Sequence, residues 1–235
     1  MVCSTPLELG NHGQVFREIN RSMVTTGLLG GSFNPAHGAH RSISLFAMQE
    51  LKLDEFWWLV SPGNPLKEGA KDMAPLHARL ASAQDMARRS TIEPTAIEQT
   101  MGTRYTYNTL LALVRKYPKR QFVWIMGADN LAQFHRWKDW RKIARLLPIA
   151  VISRPGYDDD AFAAPAMAWL RRYVRPASQR GNWTKWSTPA LTFLRYRPDP
   201  RSATAIRMAR PHWHQQYDNR CVRDAVTHQL LCSED

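Results

Sequence analysis

Between residues 23 and 196, short apolar runs that close on glycine or proline alternate with longer stretches of helical spacing. Strands separated by helix-length connections must be joined by right-handed crossovers into a mostly parallel sheet. Residues 23–30 (MVTTGLLG) read as a buried strand, and 39–52 as a helix with Ile43, Phe46, Ala47 and Leu51 at helical spacing. Residues 55–60 (EFWWLV) form a second strand, closed by the turn-rich SPGNP at 61–65. A helix is expected over 75–89, with proline near its first turn and arginines in its last. A short strand at 95–100 and a helix over 106–117, stopped by Pro118, follow. Strands at 121–126 and 149–153 then enclose a basic, tryptophan-bearing helical stretch at 131–147. Residues 161–174 read as helix, 182–189 as a polar loop and 190–196 as a last strand, with two short helices starting near Ala203 and Cys221. The expected class is α/β, a doubly wound, mostly parallel sheet with short C-terminal helices. Residues 23–235 are expected to form one domain, and residues 1–22 a mobile N-terminal extension.

A chain of 235 residues with 44% hydrophobic and 22% charged content is long enough to bury a core and is neither disordered nor collagen-like. No apolar run approaches the roughly 20 residues of a membrane helix. The first twenty residues carry Glu8, Arg17 and Glu18 without an apolar core, unlike a secretory signal. Three cysteines, an odd number without C-x-x-C spacing, suit a reducing cytoplasm. The net charge of +12 attracts polyanions without choosing among nucleic acid, acidic lipid and phosphorylated small molecules.

Sheets of this kind bind ligands at the carboxyl ends of their strands, where strand order reverses. The segments after Gly30, Val60, Met126 and Ser153 are therefore the places to search. After the first strand comes GGSFNPAHGAH, residues 30–40. Gly30 and Gly31 permit close backbone approach, Asn34-Pro35 makes a tight turn, and His37 and His40 share one face of a helix start with free N–H groups. That combination makes an anion site. Zinc would need a third ligand, and no acid or thiol stands nearby in sequence. His212, His214, Cys221 and His228 match no common zinc spacing either.

GGSFNPxHxxH resembles the phosphate-binding signature of the nucleotidyltransferase superfamily with an H-x-G-H motif. More closely it is similar to that of the nicotinate-nucleotide adenylyltransferases, which make the dinucleotide precursor of NAD. Here Ala39 takes the place of the family's glycine, and Gly38 precedes it. A second signature, RSATAIR at 201–207, resembles I-S-S-T-x-I-R, with Arg201 for an apolar residue and Ala203 for serine. Alone it would read as a capped helix; its order and distance from the first motif give it value. The likeness spans about residues 25–210 and implies a Rossmann-like nucleotidyltransferase fold.

By the same resemblance, Gly30, Gly31, Ser32, Phe33, Gly127, Asp129, Ser202, Thr204 and Arg207 bind ATP, and Tyr105, Thr106 and Trp137 bind the acceptor. Asn108 stands where the family has aspartate in the segment around Tyr105. His37, His40, Lys67 and Arg207 are the implied catalytic groups. Lys67 also reads as a solvated loop lysine, Asp129 as a helix N-cap, and Trp137 as core packing, the expected place of Trp140. The implied reaction is attack of nicotinate mononucleotide phosphate on the α-phosphorus of ATP, with Mg²⁺ delivered by ATP and no protein metal site. Nicotinamide mononucleotide, phosphopantetheine and CTP-dependent chemistry remain as alternatives within the superfamily. Outside it, a basic RNA-binding module is ranked lower, because the chain has no RNP-like or helix-turn-helix motif. A cytoplasmic enzyme without membrane partners is expected, with a homo-oligomer left open.

Overall fold

The computed structural model describes residues 23–63, 73–153, 158–197 and 201–233. Lys67 and the 1–22 extension lie outside them. Six parallel strands form one sheet in the order β3-β2-β1-β4-β5-β6. They are β1 (Val24–Gly31), β2 (Glu55–Val60), β3 (Ile92–Thr95), β4 (Arg120–Gly127), β5 (Ile149–Ser153) and β6 (Leu191–Arg195). The central strands read as nearly unbroken apolar runs because both faces are covered. On one face Leu29, Trp58, Val60, Val123, Ile125 and Ile152 join a core with α1 (Gly38–Leu51) and α2 (Leu76–Ala87). On the other, Leu28, Trp57, Leu59, Trp124, Met126 and Val151 meet α4 (Thr106–Lys116), α6 (Trp140–Leu146) and α8 (Pro165–Leu170). The doubly wound sheet expected from the alternation is the one observed.

The differences have local causes. The strand expected at 95–100 ends at Thr95, and α3 (Ile97–Thr100) follows; Pro94 is tolerated because β3 is an edge strand. The basic stretch at 131–147 is broken into α5 (Ala128–Gln133), a 3₁₀ turn Phe134–Arg136 and α6, with Asp139 left-handed at φ 58° between them. The helix expected at 161–174 divides into α7 (Asp158–Ala163) and α8, which begins at Pro165 because proline starts a helix more readily than it continues one. The polar loop expected at 182–189 overlaps a 3₁₀ segment, Ala177–Lys185, whose Trp183 is buried and donates Nε1–H to the Leu51 carbonyl at 2.9 Å.

At the C-terminus, α9 (Ala203–Ala209) forms as expected. The helix expected near Cys221 is instead a hairpin of β7 (Val222–Arg223) and β8 (Leu230–Leu231). The buried Asp224 carboxylate explains this. It accepts from the Val226 and Thr227 N–H groups, turning the chain, and from Ala96 N–H and Thr95 Oγ1–H, fastening the hairpin beside β3. A Cys221–Cys232 disulfide closes the same hairpin, a pairing that the cysteine count did not anticipate. Among the described residues no helix is long and apolar enough to cross a membrane.

Candidate active site

Strand order reverses between β1 and β4, so the crevice to inspect lies beyond Gly31 and Gly127. The loop after β1 is set by aromatic packing. Phe33 takes a left-handed φ of 46°, and its buried ring stacks on Trp58 at 5.1 Å and lies 4.8 Å from the His40 ring. Only the Phe33 backbone is therefore left to meet a ligand. The missing side chains of the two glycines also serve packing. A Cβ on Gly30 would sit 2.7 Å from the Trp124 ring, and one on Gly31 3.3 Å from Phe33. Ser32, beside them, is half-buried.

His37 is the N-cap residue of α1 and is buried, while His40 is half-buried one turn later. Their rings lie 3.9 Å apart. The His37 N–H donates to His40 Nδ1 at 3.2 Å. An accepting Nδ1 leaves the imidazole proton on Nε2, so His40 presents an N–H donor. The ring is held further by a chain in which Trp58 Nε1–H donates to Ser44 Oγ and Ser44 donates to the His40 carbonyl, each at 2.8 Å.

The C-terminal motif reaches this loop across 173 residues: Arg207 donates from a terminal guanidinium nitrogen to the Asn34 carbonyl at 2.8 Å. The Asn34 side-chain oxygen in turn accepts from Ala74 N–H at 3.2 Å. Ser202 Oγ caps α9 through Ala205 N–H at 3.1 Å, and Thr204 is exposed on the first turn. Arg201, the departure from the apolar pattern, lies against Gly38. A Cβ on Gly38 would fall 1.8 Å from its guanidinium. Arg201 thus meets the first motif beside Ala39. His37, Gly38 and Arg201 also line a cavity of about 780 Å³ between this loop and the segment after α9.

At the end of β4, Gly127 is the N-cap residue of α5, so Asp129 belongs to the first turn and not to the cap. A Cβ on Gly127 would lie 2.3 Å from Asp129 Oδ1, and the glycine thereby makes room for an exposed carboxylate. Tyr105 and Thr106 begin α4 and are half-buried. Lys138 Nζ lies 4.3 Å from the centre of the Tyr105 ring, which brings the Tyr105 and Trp137 segments together. Trp137 is half-buried, edge-on to Phe134 at 5.4 Å and to Trp124 at 6.4 Å. Trp124 also packs against Gly30, so aromatic contacts run from the end of β1 to Trp137. Trp140 is buried against Phe134 and Trp169, as core packing requires.

Two groups escaped the sequence reading. Arg79 is a buried charge in the otherwise small and apolar run around Ala78, Leu80 and Ala81. That lone charge was the available signal. Glu98 gave none. Its carboxylate accepts from Thr109 Oγ1–H at 3.0 Å, and Ser61, beyond β2, also bonds it. Burial pushes its pKa above the ordinary carboxylate value, and the bonds from Thr109 and Ser61 offset this only in part. A raised folded-state pKa means stability that is complete below the unfolded value, about 4.3, and lost as pH rises through the folded one. Glu98→Gln keeps the acceptor and cannot ionise. Its melting temperature is expected to exceed that of the unsubstituted protein at pH 7 and to match it near pH 4. A thermal melt series across that range checks it, and equal melting temperatures at every pH would remove the buried charge from the account.

A parallel sheet in this order, with H-x-x-H at the start of α1 and an arginine from a late helix bonded to the same loop, defines the nucleotidyltransferase class. The family model described as cytidylyltransferase-like matches residues 28–209. A probable nicotinate-nucleotide adenylyltransferase of Erythrobacter litoralis is 60% identical over 211 residues, covering 90% of this chain and 96% of that protein. One from Bradyrhizobium sp. is 47% identical over 190 residues, covering 80% and 97%. The solved nicotinic acid mononucleotide adenylyltransferase of Plasmodium falciparum, complexed with NaAD, shares the fold at a TM-score of 0.56 and 16% identity, over 78% of this chain and 82% of that one. The chain belongs to the cytidylyltransferase-like family and, within it, to the nicotinate-nucleotide adenylyltransferases.

Proposed function

We propose that the protein transfers the adenylyl group of Mg-ATP to nicotinate mononucleotide, giving nicotinate adenine dinucleotide and pyrophosphate. The observation that carries this reading is that His37 and His40, with rings 3.9 Å apart, open α1 while Arg207 bonds the Asn34 carbonyl in the loop just before them, with aromatic contacts running from Gly30 through Trp124 to Trp137. An acceptor phosphate oxygen attacks the α-phosphorus, the bond to the bridging oxygen breaks, and its electron pair leaves with pyrophosphate. The nucleophile is already an anion, so no general base is required. The protein supplies position and positive potential instead.

His40, the N–H groups at the start of α1 and the Arg207 guanidinium serve oxygens of the triphosphate. These donors suit phosphate oxygens and not a cation, so Mg²⁺ enters with ATP and keeps its phosphate and water ligands. Asp129 is assigned to the ATP ribose, with Tyr105, Thr106 and Trp137 assigned to the acceptor. The excess of cationic side chains helps draw in two anionic substrates. The cytoplasm, where ATP is available, is the compartment we infer.

Pyrophosphate release from Mg-ATP, compared across nicotinate mononucleotide, nicotinamide mononucleotide and phosphopantetheine, with a parallel CTP reaction, tests the reading. The first acceptor is expected to give the highest kcat/KM, and preference for another would replace the assigned substrate. Salt-sensitive RNA binding without any turnover would return the protein to the RNA-binding class.

Arg207→Lys is a further test of the phosphate end. An ammonium cannot bond Asn34 and a phosphate with the same fork. Charge-assisted hydrogen bonds are worth about 1.5–3 kcal/mol, so the KM for Mg-ATP is expected to rise by roughly ten-fold or more. The acceptor KM should move far less. An acceptor KM that rises alone would move Arg207 to the other substrate.

A further inference from the structure

Arg79, in α2, is 1% exposed. Its guanidinium makes four hydrogen bonds, all to main-chain carbonyls. Nε donates to Ala74 at 2.8 Å; one terminal nitrogen donates to Ser32 at 2.8 Å and Ser61 at 2.6 Å, and the other to Pro62 at 3.3 Å. Ser32 stands in the loop after β1, just before Phe33 and the histidines, while Ser61 and Pro62 stand in the loop after β2. Among the described residues those loops are also tied by Ser61 N–H to the Gly31 carbonyl at 3.0 Å and by Ala74 N–H to Asn34 Oδ1 at 3.2 Å. A single nitrogen of Arg79 therefore gives one hydrogen to each loop. Among the described residues, no carboxylate pairs with it.

A buried charge without a counter-ion is costly, and carbonyl dipoles solvate it without cancelling its net charge. We propose that Arg79 is a positioning residue for nucleotidyl transfer: it clamps the two strand-end loops, and its charge, which no carboxylate of the described residues pairs, adds to the positive potential met by the phosphates of bound substrate. This deepens the adenylyl-transfer reading and rests on it. Burial lowers the pKa of Arg79 to about 10, which leaves it charged at neutral pH. The residue has no path to the reacting atoms of its own; it acts through the backbone of Ser32 and Ser61 and through its field.

Two variants separate these effects. Arg79→Lys keeps the charge and loses the fork. Arg79→Gln keeps N–H donors and loses the charge. In Arg79→Lys, kcat is expected to fall by roughly ten- to a hundred-fold with little change in KM for Mg-ATP, the scale on which small misplacements reduce rate. In Arg79→Gln, the KM for Mg-ATP is expected to rise by about ten-fold or more, because the uncancelled charge is gone. Inorganic pyrophosphate should raise the melting temperature of the unsubstituted protein and of Arg79→Lys, but hardly that of Arg79→Gln.

The pyrophosphate shift does not depend on the acceptor. If the unsubstituted protein fails to use nicotinate mononucleotide yet the shifts follow this pattern, the substrate assignment falls and the charge role stands. Variants that melt lower but keep normal kcat and KM per folded molecule, and the normal pyrophosphate shift, would overturn the proposal. So would failure of both to fold, which would make Arg79 a folding residue only.

Discussion

Replacing His40 by alanine is expected to lower kcat by about a hundred- to a thousand-fold, the usual cost of losing one preorganised donor of about 2.7–4 kcal/mol. The expectation comes from the tautomer. Because Nδ1 accepts the His37 N–H, the proton sits on Nε2 and is offered as a fixed donor. The substitution also removes that backbone bond, worth about 1 kcal/mol, so a fall in melting temperature of about 2–4 °C is expected. Substrate KM values should change little, since the donor acts mainly as charge gathers in the transition state. Steady-state kinetics on the folded variant checks this. Unchanged turnover would remove His40 from the chemistry, and a variant that unfolds would make its role structural.

Trp137→Ala is expected to act on the acceptor alone. One side of the ring is occupied by edge contacts to Phe134 and Trp124, and the residue remains half-exposed. Stacking of a base on an aromatic ring is worth about 1–3 kcal/mol, so the KM for nicotinate mononucleotide should rise roughly five- to a hundred-and-fifty-fold. The KM for Mg-ATP should be unaffected, and saturating acceptor should restore much of kcat. Trp137→Phe should recover part of the loss. Titrations of both substrates, with circular dichroism to confirm folding, decide the matter. A destabilised variant with normal acceptor affinity would assign Trp137 to the core beside Trp140.

The alternation of apolar runs and helical stretches made the sheet legible, because β2, β4 and β5 are buried on both faces and read as apolar blocks. The breaks in the helices were harder to see. Asp139 enters a left-handed conformation that nothing in its composition demands, and it splits a stretch that periodicity alone joins. The C-terminal hairpin was invisible because it depends on Asp224 finding Thr95 and Ala96, more than a hundred residues away. Within the site, the histidines and Arg207 were legible as motifs, yet the purpose of the glycines was not. Gly30 and Gly31 accommodate Trp124 and Phe33, and Gly38 accommodates Arg201, contacts that exist only after folding. Arg79 and Glu98 escaped for a related reason. Their surroundings follow from the fold and from the groups they bond, which a linear reading does not show.

The central claim is that two phosphate-bearing nucleotides meet here and are joined with loss of pyrophosphate. It is tested most directly by incubating the purified protein with Mg-ATP and nicotinate mononucleotide and resolving all nucleotide products by chromatography. The account predicts nicotinate adenine dinucleotide and pyrophosphate in equal molar amounts, each appearing only when both substrates are present. ATP converted to ADP and phosphate, or to AMP without any dinucleotide, would contradict it.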